Sequence, residues 1–275
     1  MPQLVFLLLK RNRISSIDER AFTNLTSLTI LELDDNLLGD IPSAIHQLPK
    51  LRELSISGNR IKYIAYGVLQ KSPEIVLLEL KGNPLVGVDP HAFSFLPKLR
   101  TLTLSDARDL TIFPSLNGTG ALETLRLDRA SIEAVPHTLC MTCPKLKALD
   151  LKSNRLTKVP ELTHCRDLRV LDLTSNRITS IDDSPFKTLN QLHDLLLPHN
   201  AIQMITREAF QGLHKLQVLD MEDNQIAIIH PDAFLPISKI EDLNLGNNIF
   251  PHLPPSGLQH LLHLKTFNNP FLKEF

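Results

Sequence analysis

A nine-residue pattern, L-x-x-L-x-L-x-x-N, returns along the whole chain at intervals of 21 to 24 residues, and it restricts the possible folds more than any other feature. Its last position is held by Asn12, Asn36, Asn59, Asn83, Asn154, Asn176, Asn200, Asn224, Asn248 and Asn269, with Ala107 and Ala130 in the same phase. A leucine-rich helical bundle would instead need apolar residues at a period of about 3.6 and no fixed asparagine. That reading is set aside.

In Leu168-Arg-Val-Leu171-Asp-Leu173-Thr-Ser-Asn176, the alternation of a short strand sends the three leucines inward and leaves Val170, Asp172 and Thr174 outside. A fully buried Leu contributes roughly 1.5 to 3 kcal/mol, yet one copy cannot bury its leucines alone. Neighbouring copies must stack. The expected architecture is an α/β leucine-rich-repeat solenoid: a curved horseshoe with a parallel β-sheet on its concave face and short helices or irregular turns on the convex face. Because a solenoid grows by stacking, 275 residues need not divide into two cores. One domain of about twelve repeats spanning 1–275 is expected.

The asparagine sits where the strand turns inward, and its amide can donate to and accept from backbone groups of the turn. Ala107 and Ala130 cannot, and an unpaired buried backbone group costs roughly 1 to 3 kcal/mol unless water substitutes. A break in regularity is therefore expected near residues 105–135. Phe22, Phe93, Phe186, Phe210 and Phe234 each fall ten residues after their asparagine and should form an internal aromatic spine. Met1 precedes a repeat already in register, so the chain reads as a piece of something longer, without terminal caps. Leu4, Leu7 and Leu9 would line one bare end, and poor solubility is expected.

With 29 Lys+Arg against 30 Asp+Glu, aromatic content of 5% and no Trp, neither nucleic acid nor an anionic membrane is expected as a partner. No stretch reaches the roughly 18 to 20 apolar residues of a membrane span; the longest run is Leu4 to Leu9. Phosphate loops, nucleophile elbows and H-E-x-x-H motifs are missing from the sequence, so neither an enzyme nor a cofactor is expected. The histidines show no spacing that suits a metal.

Cys140-x-x-Cys143 with His164-Cys165 superficially matches zinc-ligand spacing. A disulfide is the better reading. Cys143 and Cys165 each precede the first Leu of a repeat by three residues, Cys140 lies one turn earlier, and either could reach Cys165. Asn24-Leu-Thr and Asn117-Gly-Thr are candidate glycan acceptors outside the strands. Among outward positions, Glu32, Asp34 and Asp35 form an early acidic patch, while Asp194, Asp220, Glu222, Asp223 and Asp242 form a late one; Arg126, Arg129 and Lys152 lie between. Such patches would steer a ligand with basic segments, affecting association rate more than affinity. Glu32, Asp34, Asp35, Arg126, Arg129, Asp220, Glu222 and Asp223 are the ligand-binding candidates.

Four irregular runs carry a narrower likeness: LRTLTLSDARDLTIFPSLNGTGALETLRLDRASIEAVPHTLC, KVPELTHCRDLRVLDLTSNRI, IAIIHPDAF and LPPSGLQHLLHLK. In these the chain resembles the leucine-rich-repeat-containing G-protein-coupled receptors, within them the long-ectodomain group of R-spondin and bursicon receptors. The resemblance implies a bridge between Cys140 and Cys165, with Cys143 a departure from the family pattern. It implies recognition of a secreted protein ligand on the extracellular side of the plasma membrane, coupled in a complete receptor to signalling such as Wnt potentiation or a hormone response. The cysteine-rich cap, the earliest repeats, the hinge and seven membrane helices of that family would lie outside this stretch, and most of an R-spondin site with them. A secreted or matrix-associated adhesion protein, or a cytosolic scaffold, stays open at this point.

Overall fold

A computed structural model describes residues 1–273. Its contacts divide the chain into two compact units, one comprising Met1–Ile132 with Thr142–Leu146, the other comprising Glu133–Met141 with Lys147 onward.

Both units are parallel-strand solenoids. In the first, the strands Phe6–Leu8, Ile30–Glu32, Glu53–Ser55, Leu77–Glu79, Thr101–Thr103 and Thr124–Arg126 pair in parallel in sequence order. In the second, Ala148–Asp150, Val170–Asp172, Asp194–Leu196, Val218–Asp220, Asp242–Asn244 and His263–Lys265 do the same. The register aligns like with like: Leu31 opposes Leu54, and Leu171 opposes Leu195. These central leucines are fully buried, as the alternation requires.

The returning segments are mostly turns. Short 3-10 helices at Ser43–Gln47 and Leu235–Ile237 and one helical turn at Leu139–Thr142 interrupt them. A second, two-residue ladder pairs Tyr63–Ile64 with Gly87–Val88 in the first unit, and Met204–Ile205 with Ile228–Ile229 in the second. The five phenylalanines are all buried; of these, Phe210 and Phe234 stack with centroids 6.1 Å apart and rings 13° from parallel. Leu4, Leu7 and Leu9 are only half-buried on the first coil.

The asparagines form the expected ladder. Asn176 Nδ2 donates to Leu151 O (3.0 Å) in the preceding coil and to Leu173 O (3.1 Å) in its own, while its Oδ1 accepts from Leu156 N (3.0 Å). Asn36, Asn59, Asn224 and Asn248 repeat this triple bond pattern. Side chains that satisfy three buried backbone groups each are strongly constrained, since every group would otherwise carry its desolvation cost.

At Ala107 and Ala130 other protein groups take over. Leu85 N, whose counterparts donate to the next asparagine, turns back to Asn83 O at 2.8 Å. Ser131 Oγ donates to Arg108 O at 2.7 Å, and Ser131 N reaches Leu110 O at 3.0 Å. In coils around Asn36 and Asn176 the corresponding amide reaches the residue two past the preceding asparagine, as Leu37 N to Ile14 O and Arg177 N to Leu156 O. Here it reaches three past Ala107. The chain has slipped by one residue, and Leu110 is the side chain that is buried.

The residue before each asparagine or alanine takes a left-handed backbone in all twelve coils, with φ between 52° and 70°. Only Gly58 and Gly82 are glycines; Arg11, Arg129, Ser153, Ser175 and His199 adopt the same conformation. An Arg, Ser or His there costs on the order of 1 kcal/mol, so in these five coils stacking of the leucines imposes the turn against local preference, whereas Asp35, Asp106, Asp223, Asn247 and Asn268 tolerate it. Gly212, with φ +90°, stands where a Cβ would meet Lys187 O at 2.1 Å. The coils approach too closely there for any other residue.

Candidate functional site

On most of these strands the first and third residues reach solvent, although Ser55, Thr103 and Asn244 at the third position are buried. The residue directly after the strand, such as Leu33 or Leu127, is in the core, and the two residues beyond it extend the surface. The sequence candidates fall on these positions, but the structure uses them in different ways.

In the first unit, Asp34 Oδ1 accepts Ser55 Oγ at 2.6 Å and Ser57 N at 2.7 Å, so this carboxylate ties its coil to the next. Glu32 pairs with Lys10 at 3.2 Å and Asp35 with Arg11 at 3.8 Å. Exposed Phe6 and Leu8 sit beside them on the first strand. Arg126 is exposed on the strand Thr124–Arg126. Arg129 is engaged by Asp106 and, at 2.8 Å, by Asp128, which also accepts Ser105 Oγ. The hydrogen bond from Arg129 outweighs burial and holds the Asp106 carboxyl below the usual carboxylate value.

In the second unit the third strand position has a recurring structural task. Asp150 Oδ1 accepts Lys152 N (3.0 Å), Asp172 Oδ1 accepts Thr174 N (2.9 Å), Asp220 Oδ1 accepts Glu222 N (3.0 Å), and Asn244 Oδ1 accepts Gly246 N (3.1 Å). These side chains close the turn after the strand in the manner of Asx turns. Glu222 is held as well, accepting Asn244 Nδ2 at 2.8 Å and Asn247 Nδ2 at 3.1 Å. Asp223 is bound to the His199 ring. Asp194 is pushed above the usual carboxylate value by burial, which the neighbouring His193 only partly offsets.

These side chains create an acidic, partly apolar surface. Asp150 lies opposite Asp172 across adjacent strands, while Asp194 and Asp242 flank Val218. A cavity of about 230 Å³ opens between the last three strands, bordered by Val218, Asp220, Asp242, Asn244, His263 and Lys265. His263 Nδ1 lies 2.6 Å from Asp242 Oδ1. Such a surface can accept cationic and hydrogen-bond-donating side chains from a protein partner, and its walls are fixed by the turn bonds beneath it. Sequence reasoning passed over the His199 and His263 pairings and the turn-closing role of Asp150 and Asp172. The signal for the histidines lay one coil away, at Asp223 and Asp242, and that for the aspartates two residues on in the same coil, at Lys152 N and Thr174 N.

Cys140 and Cys165 are bridged, with Cα atoms 4.8 Å apart. Cys143 is a buried free thiol next to Thr119 Oγ1 at 3.5 Å, and burial raises its pKa. Asn24 and Asn117 are both exposed on the returning segments. The Thr119 hydroxyl of the second sequon is buried and donates to Leu116 O at 2.7 Å. Among the described residues no His, Cys, Asp and Glu are grouped to hold a metal ion, and no helix is long and apolar enough to cross a membrane.

Comparison with known proteins bears on this arrangement. The family profile described as "Leucine rich repeat" matches residues 2–61, 50–108, 120–173 and 166–226. The human "Leucine-rich repeat-containing G-protein coupled receptor 6" is 36% identical over 153 residues, covering 56% of this chain and 16% of the receptor. The zebrafish receptor of the same name, from Danio rerio, is 45% identical over 83 residues, 30% of this chain and 9% of the receptor. The chain thus spans less than one fifth of the curated relatives it matches. Among solved structures, an internalin (inlF) from Listeria monocytogenes superposes with a TM-score of 0.82 at 25% identity, over 97% of this chain and 74% of the internalin.

Proposed function

The chain belongs to the leucine-rich repeat family, and from that premise we propose that it is the extracellular ligand-binding region of a G-protein-coupled receptor, recognising a secreted protein on its strand faces. The similarity to receptor 6 over more than half of the chain carries this reading. Relatives that are receptors favour the cell surface as the compartment, and the Cys140–Cys165 bridge fits an oxidising one. In a complete receptor, ligand capture here would be coupled to membrane helices beyond this stretch.

The function needs no bond-making chemistry. A protein ligand gains affinity from a few buried contacts and gains speed from charge complementarity. Arg126 in the first unit, and Asp194, Asp220 and the cavity at Asp242 in the second, are the groups best placed to meet it. Glu222 and Asp34 act beneath that surface by keeping its turns in place. Asn24 and Asn117 would carry N-linked glycans; at Asn117 the buried Thr119 hydroxyl requires attachment before the coil closes.

A screen of secreted proteins against the chain tests the proposal, with Asp194→Lys and Asp242→Lys combined as the comparison. A partner that binds the parent chain, associates more slowly as salt rises and loses at least tenfold in association rate with the double variant is the expected result; about tenfold matches the scale of electrostatic steering. If every partner found ignores the double variant and is lost on substituting the returning segments, the strand face is not the binding surface.

A further inference from the structure

The near-zero net charge conceals a separation of charge within the second unit. While its strand face is acidic, the flank that leads into the strands carries Arg166, Arg169, Lys215 and Lys239, all exposed. None of these four forms an ion pair among the described residues, and Lys215 Nζ donates only to the neutral Gln191 Oε1, at 2.7 Å. The carboxylates on the same flank are Asp167 and Glu241.

Coil stacking makes this flank a row. His193 N bonds Arg169 O (2.8 Å), Gln217 N bonds His193 O (2.9 Å), and Glu241 N bonds Gln217 O (2.9 Å), so successive coils bring equivalent positions side by side. The spacing is that of parallel strands, about 4.8 Å. A single open groove of about 630 Å³ runs along it, lined by His193, Lys215, Gln217, Lys239, Glu241 and His260. Exposed cations along an open groove, which Leu262 also lines, do not enclose a small molecule; they match an extended chain of negative charges.

We propose that this flank binds a sulfated polysaccharide of the cell surface or matrix, independently of the protein ligand on the strand face. Three observations favour a sulfated glycan over a nucleic acid. The groove offers no Phe, Tyr or Trp on which bases could stack. The ammonium and imidazole donors of the groove, with the guanidinium groups of Arg166 and Arg169 exposed on the same flank, suit sulfate oxygens, whose charge is permanent. The disulfide in the same unit belongs to compartments where such glycans occur and nucleic acids rarely do.

The test is binding of the 275-residue chain to immobilised heparin at physiological salt, with two triple variants of equal net charge. Arg169→Glu, Lys215→Glu and Lys239→Glu reverse the flank; Lys158→Glu, Arg177→Glu and Lys187→Glu reverse exposed cations on the returning segments. Circular dichroism melts establish that both variants fold. The flank variant should bind at least about tenfold more weakly, since several exposed charge contacts are lost together, with the control variant close to the parent chain. Equal losses in the two variants, or no retention of the parent chain, would overturn the proposal. Competition separates the polyanions: release by heparin but not by single-stranded oligonucleotide of equal charge supports a sulfated glycan, and the reverse order overturns it.

Discussion

Around Asn176 a single amide side chain holds the turn after the strand, whereas around Ala107 and Ala130 the same turn is assembled from a serine, a slipped backbone bond and the Ser105–Asp128–Arg129–Asp106 network. Yet the left-handed residue before the turn has nearly the same φ in both: 55° at Ser175, 63° at Asp106 and 54° at Arg129. Asparagine therefore does not create the turn. Stacked leucines create it, and asparagine supplies the least costly way to satisfy the backbone groups it buries.

The comparison can be broken at its strongest point. Asn176→Ala strands Leu156 N, Leu151 O and Leu173 O and should cost at least about 3 kcal/mol, read from denaturant unfolding. Ala130→Asn should recover less than about 1 kcal/mol, because Leu110 N already donates to Ala107 O at 3.0 Å. A gain as large as the Asn176 loss would mean that the alanine coils are simply defective.

Next in size is the disulfide. Cys140 and Cys165 are 25 residues apart, and replacing both by Ser should remove about 3 kcal/mol, observed as a lower melting temperature of the second unit. Ser131→Ala comes below it, at about 1 kcal/mol, since only the bond to Arg108 O is lost. A loss there as large as at Asn176 would place the two turns on an equal footing.

The smallest effects concern two carboxylates with opposite shifts. Asp106 is held low by Arg129, so its contribution is complete above the unfolded value of about 3.8 and disappears as pH falls through the lower folded value. Asp194 is raised by burial; its charge opposes folding above that raised value, and the penalty lifts as pH falls through it. Asp194→Asn should therefore give a small gain in stability at neutral pH that vanishes in acid, while Asp106→Asn gives a loss that vanishes in acid. Urea titrations at several pH values separate the two signs.

Much of this was legible in the sequence. Leucine spacing located the strands and their inward faces, the phase of asparagine located the ladder, and the phase of phenylalanine located buried rings. The Cys140–Cys165 pairing followed from family resemblance, not from spacing, which left Cys143 equally eligible. Two things could not be read. The left-handed position is held by Gly, Asp or Asn in seven coils and by Arg, Ser or His in the other five, so no single residue type marks it. The candidate site was blurred because Asp34, Glu222 and Arg129 look free in sequence but find partners 21 to 25 residues away, in the adjoining coil. Only reading down the coils, column by column, distinguishes a carboxylate that holds the scaffold from one that faces solvent.

Adjacent residues on one strand give the most direct test of the division between interior and binding surface. Leu195 is fully buried and Leu196 only half-buried on the strand Asp194–Leu196. Thermal melts of Leu195→Asp and Leu196→Asp should differ sharply, the first losing at least about 4 kcal/mol through a buried unpaired charge and the second unfolding cooperatively near the parent chain. Comparable melts for the two, or the opposite order, would contradict the account.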